Sequence, residues 1–188
     1  MFLTIPTLMT WARIVAIPLI VGVFYLPIEP ASRNLVATTM FVVFAATDWL
    51  DGYLARKLNQ VSSFGAFLDP VADKFLVCAC VLVLVHLGRA NVFIALIIIG
   101  REIAISALRE WMASVGARTN VAVNWMGKAK TIAQMVAVPF LLYYDTLFGG
   151  LIDTRIWGLV LVWVAAVLTV VSMVVYLRAA WPELQKRG

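Results

Sequence analysis

Four aspartates, Asp48, Asp51, Asp69 and Asp73, fall within or at the edges of two strongly apolar stretches. A carboxylate in the middle of a membrane helix costs roughly 2.5 kcal/mol or more, so ionisable residues in such segments mark function by default. Asp48 and Asp51 stand at i and i+3, and Gly52, Ala55 and Arg56 continue along the same side. One helical face would then carry two acids, two small residues and a cation. Gly65, Asp69 and Asp73 follow at i, i+4 and i+8, a single stripe of the next helix if that helix has begun by Gly65. The connection between the two stretches is short, so an antiparallel hairpin would bring all four carboxylates together.

Four unneutralised carboxylates in one pocket repel one another and raise each other's pKa. Two divalent cations would cancel their charge. A ligand set of oxygens alone, without His or Cys, suits Mg²⁺ or Mn²⁺, and paired hard cations suit phosphoryl chemistry. Gly52 and Ala55 would let a large ligand lie against the backbone, and Arg56 would make a forked contact to a diphosphate. Simpler readings exist for each residue alone. Asp69 before Pro70 resembles a helix N-cap with proline at the first helical position, Asp73 and Lys74 resemble a surface ion pair, and Asp51 and Arg56 resemble a salt bridge at the membrane edge. Coincidence of all four acids, both glycines and the arginine is the harder account.

The elements that must hold these residues are helices in lipid. Of 188 residues, 63% are hydrophobic and 13% charged, a composition that excludes an ordinary soluble domain. Apolar runs of about 20 residues predict six spans near residues 5–27, 34–56, 67–88, 91–113, 127–148 and 155–180, packed as one domain over 1–188. The first is read as a retained span and not a signal peptide. The fold class expected is therefore all-α, a polytopic membrane protein of six transmembrane helices. With both termini inside, only Arg33, Arg89 and Arg155 of the fifteen Lys and Arg fall to exterior loops. That bias puts the aspartates at the cytoplasmic face of the membrane. The net charge of +5 comes as short clusters between apolar runs, a juxtamembrane pattern that speaks against nucleic acid. Cys78 and Cys80 lie inside an apolar run without zinc spacing and read as reduced packing residues, and His86 as an interfacial side chain.

The run Asp48-x-x-Asp51-Gly52-x-x-Ala55-Arg56, eight residues, then Gly65-x-x-x-Asp69-x-x-x-Asp73, resembles the signature of the CDP-alcohol phosphotransferases at every position. The resemblance implies a six-helix membrane fold, a cytidine-diphosphate-linked donor, two divalent metal ions, release of CMP and a homodimer. It implies Asp48, Asp51, Asp69 and Asp73 as metal ligands, Asp73 also as general base, and Gly52, Arg56, Ser62 and Gly65 as donor contacts. Further stretches, Ile5 to Thr10 with Arg13 and Pro18, Arg101 to Met112, and Gly127 to Thr131 with Gln134, are similar to the bacterial members that join CDP-diacylglycerol to sn-glycerol 3-phosphate.

The residues also favour an anionic acceptor in their own right. Arg101 and Arg109 lie eight apart on one side of a helix, and Lys128 and Lys130 open the next, so cations gather beside the carboxylates and would suit a phosphate-bearing alcohol. The alternative is that they, like Arg118, are topological anchors snorkelling to headgroups, with Glu102 or Glu110 as partners. Inositol phosphate, serine or a phospholipid remain other acceptors within the family. A divalent-cation transporter would explain the acids but not the cation among them, and an intramembrane aspartyl protease explains less.

Overall fold

Among the described residues, six α-helices account for most of the chain: α1 Ile5–Val23, α2 Pro30–Lys57, α3 Ser63–His86, α4 Val92–Ser114, α5 Trp125–Tyr143 and α6 Thr154–Arg187. The computed structural model describes residues 5–57, 63–114 and 125–187; within them, the side chains of 5–6, 48–56, 63, 66, 126, 182–184 and 186–187 lie outside the description. The only strands among the described residues are β1 Thr146–Leu147 and β2 Ile152–Asp153, paired antiparallel around a short 3-10 turn. The expected all-α class holds.

Local chemistry sets the helix ends. Pro30 opens α2, where a missing N–H costs nothing. Asn91 caps α4, its Oδ1 accepting from the Phe93 amide at 2.8 Å, and Asp153 caps α6 through the Arg155 amide at 2.9 Å. At the end of α3, Gly88 takes φ 68° and the Arg89 amide reaches back to the Leu84 carbonyl at 2.8 Å. This is the left-handed closure glycine favours.

Several boundaries differ from the sequence expectation. The fifth helix stops at Tyr143 and not 148, because Tyr144 turns to φ 55°. The chain then forms the small hairpin, closed by Asp145 and Thr154 with the Thr154 hydroxyl donating to the Asp145 carbonyl at 2.6 Å. The first helix ends at Val23, four residues early, the second begins at Pro30, and the sixth runs on to Arg187. The third begins at Ser63 and not 67, which places Pro70 inside the helix. Asp69 is therefore not an N-cap, and the simpler reading of Asp69-Pro70 falls.

One apolar core joins five helices and the upper part of the sixth, with Ile20, Phe41, Leu76, Leu84, Ile98, Leu141 and Leu142 all at 1% exposure or less. A second, smaller cluster of Ile105, Met112, Tyr176 and Ala180 joins α4 to α6. Helices α5 and α6 approach closely at Gly158, where a Cβ would stand 2.8 Å from the Leu141 side chain.

The outer surface is apolar, with Trp11, Val15, Leu19, Phe93, Leu96, Ile103, Trp157, Trp163 and Val167 all exposed. Among the described residues one helix, Thr154–Trp181, combines the length and apolarity of a membrane span, with a mean hydropathy of 2.7, and Thr7–Val23 is a shorter apolar helix. The others carry charge within their length, such as Asp69, Asp73 and Lys74 in α3 and Arg101, Glu102, Arg109 and Glu110 in α4.

The three arginines at the opposite end of the bundle from the acids all have structural partners. Arg33 donates to the Phe24 carbonyl beyond α1, and Arg155 to the Tyr144 carbonyl beyond α5. Arg89 donates to the Leu141 and Leu142 carbonyls and to Asn34 Oδ1, and lies over the Tyr144 ring. Burial pushes its guanidinium pKa down from the ordinary arginine value.

Candidate active site

Helix α3 carries the two acids whose side chains are described. Because the helix has begun by Ser63, Gly65, Asp69 and Asp73 do share one stripe, with Gly65 buried and both aspartates half-buried. The Thr10 hydroxyl of α1 donates to Asp69 Oδ1. A buried hydroxyl donor of this kind fixes a carboxylate's orientation and leaves its second oxygen for other work. One turn further, Asp73 faces a cavity of ≈ 370 Å³ between α3, α4, α5 and α6. Asp48, Asp51, Gly52 and Arg56 belong to the last turns of α2, a continuous helix there. Their side chains lie outside the described residues, as do Ser62 and Arg118 entirely.

The cavity brings together the two groups of residues that the sequence suggested separately. Arg101 and Arg109 of α4 and Lys128 and Lys130 of α5 line it with Asp73. Arg101 and Lys130 are buried, at 7% and 2% exposure, whereas Lys128 and Arg109 are exposed at the mouth. Two charges so deep require compensation. Glu102 supplies part of it, accepting from Lys130 and standing 3.5 Å from Arg101. The sequence had offered Glu102 or Glu110 as partner, and Glu102 is the one the fold uses. Arg101 also donates to Ser172 Oγ at 3.4 Å.

Other members of the wall were not assigned to the site from sequence, where Lys74 was read only as a surface ion partner of Asp73. Lys74 points into the cavity and donates to Ser106 Oγ, which in turn donates to the Glu102 carbonyl at 2.7 Å. Tyr176 comes from α6 and lies under both arginines, their guanidinium carbons 5.7 Å and 5.4 Å from its ring centre. A lone tyrosine in a long apolar helix, with a hydroxyl that needs a polar neighbour, was the available signal. Among the described residues, five cations and two carboxylates line the cavity. Its excess positive charge fits an anion carrying more than one negative charge.

Among the described residues no three His, Cys, Asp or Glu converge as a metal cluster. Cys80 is buried, Cys78 half-buried and His86 exposed, stacked on Tyr25 at 6.0 Å. None of the three lines the cavity. Both cysteines are free thiols, as the sequence suggested.

The molecule is thus a helical bundle with two acids one turn apart on α3, of which Asp73 lines a cationic pocket. The chain belongs to the CDP-alcohol phosphatidyltransferase family, whose model matches residues 3–171. Among its relatives, it is 51% identical over 182 residues to the CDP-diacylglycerol--glycerol-3-phosphate 3-phosphatidyltransferases of Salmonella choleraesuis (strain SC-B67), Shigella flexneri and Escherichia coli (strain K12). Each alignment covers 96% of this chain and 96% of the relative.

Proposed function

We propose that this chain transfers the phosphatidyl group of CDP-diacylglycerol to sn-glycerol 3-phosphate, releasing CMP, as a six-span protein of the bacterial inner membrane with its site on the cytoplasmic side. The observation that carries the reading is the shared cavity of Asp73 with Arg101, Arg109, Lys128 and Lys130. A general base and a binding site for a phosphate monoester stand in one space. The similarity over nearly the whole chain to relatives named for that activity supports the choice of donor and acceptor.

In the step proposed, Asp73 takes the proton of the glycerol hydroxyl as its oxygen bonds to the lipid-linked phosphorus, and the bond from that phosphorus to the CMP oxygen breaks. The phosphatidyl group ends on the glycerol oxygen and CMP leaves with the electron pair. Arg101, Arg109, Lys128 and Lys130 hold the acceptor's phosphate and aim its hydroxyl. Gly52, Arg56, Ser62 and Gly65 take the donor's CDP moiety.

The donor set fits divalent metal. Asp69 and Asp73 are half-buried oxygen ligands one turn apart, Asp69 is oriented by Thr10, and Asp48 and Asp51 have the matching helical spacing on α2. These four aspartates would hold two Mg²⁺ or Mn²⁺ ions, which when bound neutralise the diphosphate and stabilise charge on the leaving group.

The membrane placement rests on the outward Trp, Phe, Leu, Ile and Val side chains of α1, α4 and α6, a surface far beyond what water tolerates. Helices of 19 to 34 residues are long enough to cross the hydrocarbon. All the described charges that interrupt the apolarity of α3, α4 and α5, except Asp69 and Glu110, line the cavity, so composition alone understates these spans. The diacyl tails stay in lipid while the head enters from the cytoplasmic side. We assign a single domain and a homodimer on the family resemblance.

The test is acceptor kinetics. Arg101→Gln or Lys130→Gln should raise the KM for glycerol 3-phosphate on the order of tenfold, the worth of a charged hydrogen bond, with little change in donor KM. Free glycerol should be a poor acceptor for the native protein and no poorer for the variants. Equal losses with both alcohols would mean that these cations serve the fold or the donor.

A further inference from the structure

Tyr176 is 2% exposed, yet its hydroxyl and ring both face charged groups of the cavity and not only the apolar cluster it packs with. Arg109 Nη2 donates to the hydroxyl at 3.4 Å, and the guanidinium carbons of Arg101 and Arg109 stand 5.7 Å and 5.4 Å from the ring centre. One ring thus gathers an inner, buried cation and an outer, exposed one that stand two turns apart on α4. Two guanidiniums so placed repel each other, and the face of an aromatic ring attracts both. The neighbouring helices are shaped for the arrangement. Gly127 of α5 lies where a Cβ would come within 3.1 Å of the Tyr176 oxygen, and Ser172, one turn earlier on α6, accepts from Arg101 at 3.4 Å. Glu102 is shared between Arg101 and Lys130.

We propose that Tyr176 is a positioning residue for acceptor specificity: it holds Arg101 and Arg109 together as a two-pronged site for one phosphate monoester, and Gly127 admits its hydroxyl. This rests on the acceptor reading above. The ring does not touch the reacting atoms and acts through the two arginines. It therefore sets affinity for the phosphate-bearing acceptor and leaves the donor and the chemical step alone.

The experiment uses the purified full chain in mixed lipid–detergent micelles, with CMP release measured against glycerol 3-phosphate, free glycerol and CDP-diacylglycerol concentration. Tyr176→Phe, which keeps the ring, should raise the glycerol 3-phosphate KM roughly two- to tenfold, as loss of one hydrogen bond predicts. Tyr176→Leu should raise it roughly two- to thirtyfold through the lost cation–π contacts. Gly127→Ala should shift the same constant in the same direction by crowding the hydroxyl. Donor KM, kcat at saturation and the rate with free glycerol should move less than about twofold. The proposal is overturned if Tyr176→Phe and Gly127→Ala leave the glycerol 3-phosphate KM unchanged, or if donor and acceptor constants worsen together as for a packing residue. These two variants decide the matter even if Tyr176→Leu does not fold. A native protein that releases no CMP with glycerol 3-phosphate would instead remove the acceptor reading, and this proposal with it.

Discussion

At the scale of single residues, three proposed roles, general base, metal ligand and phosphate anchor, fall to charged side chains of α2, α3, α4 and α5. Asp73 is the proposed base. Asp73→Asn keeps size and loses proton affinity, so kcat should fall by at least a hundredfold, the usual worth of a general base, while CDP-diacylglycerol binding falls less. Single-turnover measurement at saturating substrate checks this, and a nearly normal kcat would remove Asp73 as the base. Asp69 is oriented by Thr10, a link between α1 and α3 that spacing alone did not disclose. Thr10→Val removes that donor while keeping the shape. It should weaken the activation constant for Mg²⁺ roughly tenfold and leave the helical circular dichroism unchanged. The aspartates and the cations were legible from sequence because charge in an apolar helix is expensive and therefore conspicuous. Tyr176 and Ser106 were not, since a tyrosine or serine in such a helix costs little and only the fold shows what it faces. Glu102 was legible as a partner but not as the shared one, because Lys130 lies 28 positions away on another helix.

At the scale of elements, the succession of helices followed from apolar runs, whereas their ends and lengths followed from local groups that hydropathy does not register. Tyr144 at positive φ and the Asp145–Thr154 clasp convert what reads as more helix into a hairpin turn. Ser63 starts α3 early enough to put Gly65 in register with the acids, the condition on which the stripe depended. Among the glycines whose surroundings are described, Gly158 is the most tightly packed, against Leu141. Gly158→Val should overpack it and cost about 1 to 3 kcal/mol, seen as a lower thermal midpoint in detergent with residual activity per folded molecule preserved. A midpoint equal to the native one would mean that α5 and α6 separate there without cost. Arg89 is the comparable polar tie at the same end. Arg89→Gln should destabilise by about 2 kcal/mol, given its charged bonds to two carbonyls at the end of α5, again without changing either substrate KM.

At the scale of the whole molecule, polarity is divided between two ends. One end spends its three arginines on carbonyls, an aromatic ring and a carboxylate; the other gathers cations and acids around a cavity. The outer wall between them is apolar. This division is what a membrane enzyme needs when its lipid substrate arrives sideways and its second substrate arrives from water. The overall arrangement was readable in the sequence as alternation of apolar runs and basic clusters. The convergence of α3, α4, α5 and α6 on one space was not, because it depends on which faces pack and no single helix carries that information. The most direct measurement of the central claim supplies the purified protein with CDP-diacylglycerol, Mg²⁺ and glycerol 3-phosphate labelled in its glycerol carbons, and follows both CMP and label in the lipid phase. The account predicts equal amounts of the two, none of either after chelation, recovery with Mg²⁺ or Mn²⁺, and far slower release when serine, inositol phosphate or free glycerol replaces the acceptor. CMP release that proceeds without label entering lipid, or that runs faster with one of the other alcohols, would contradict it.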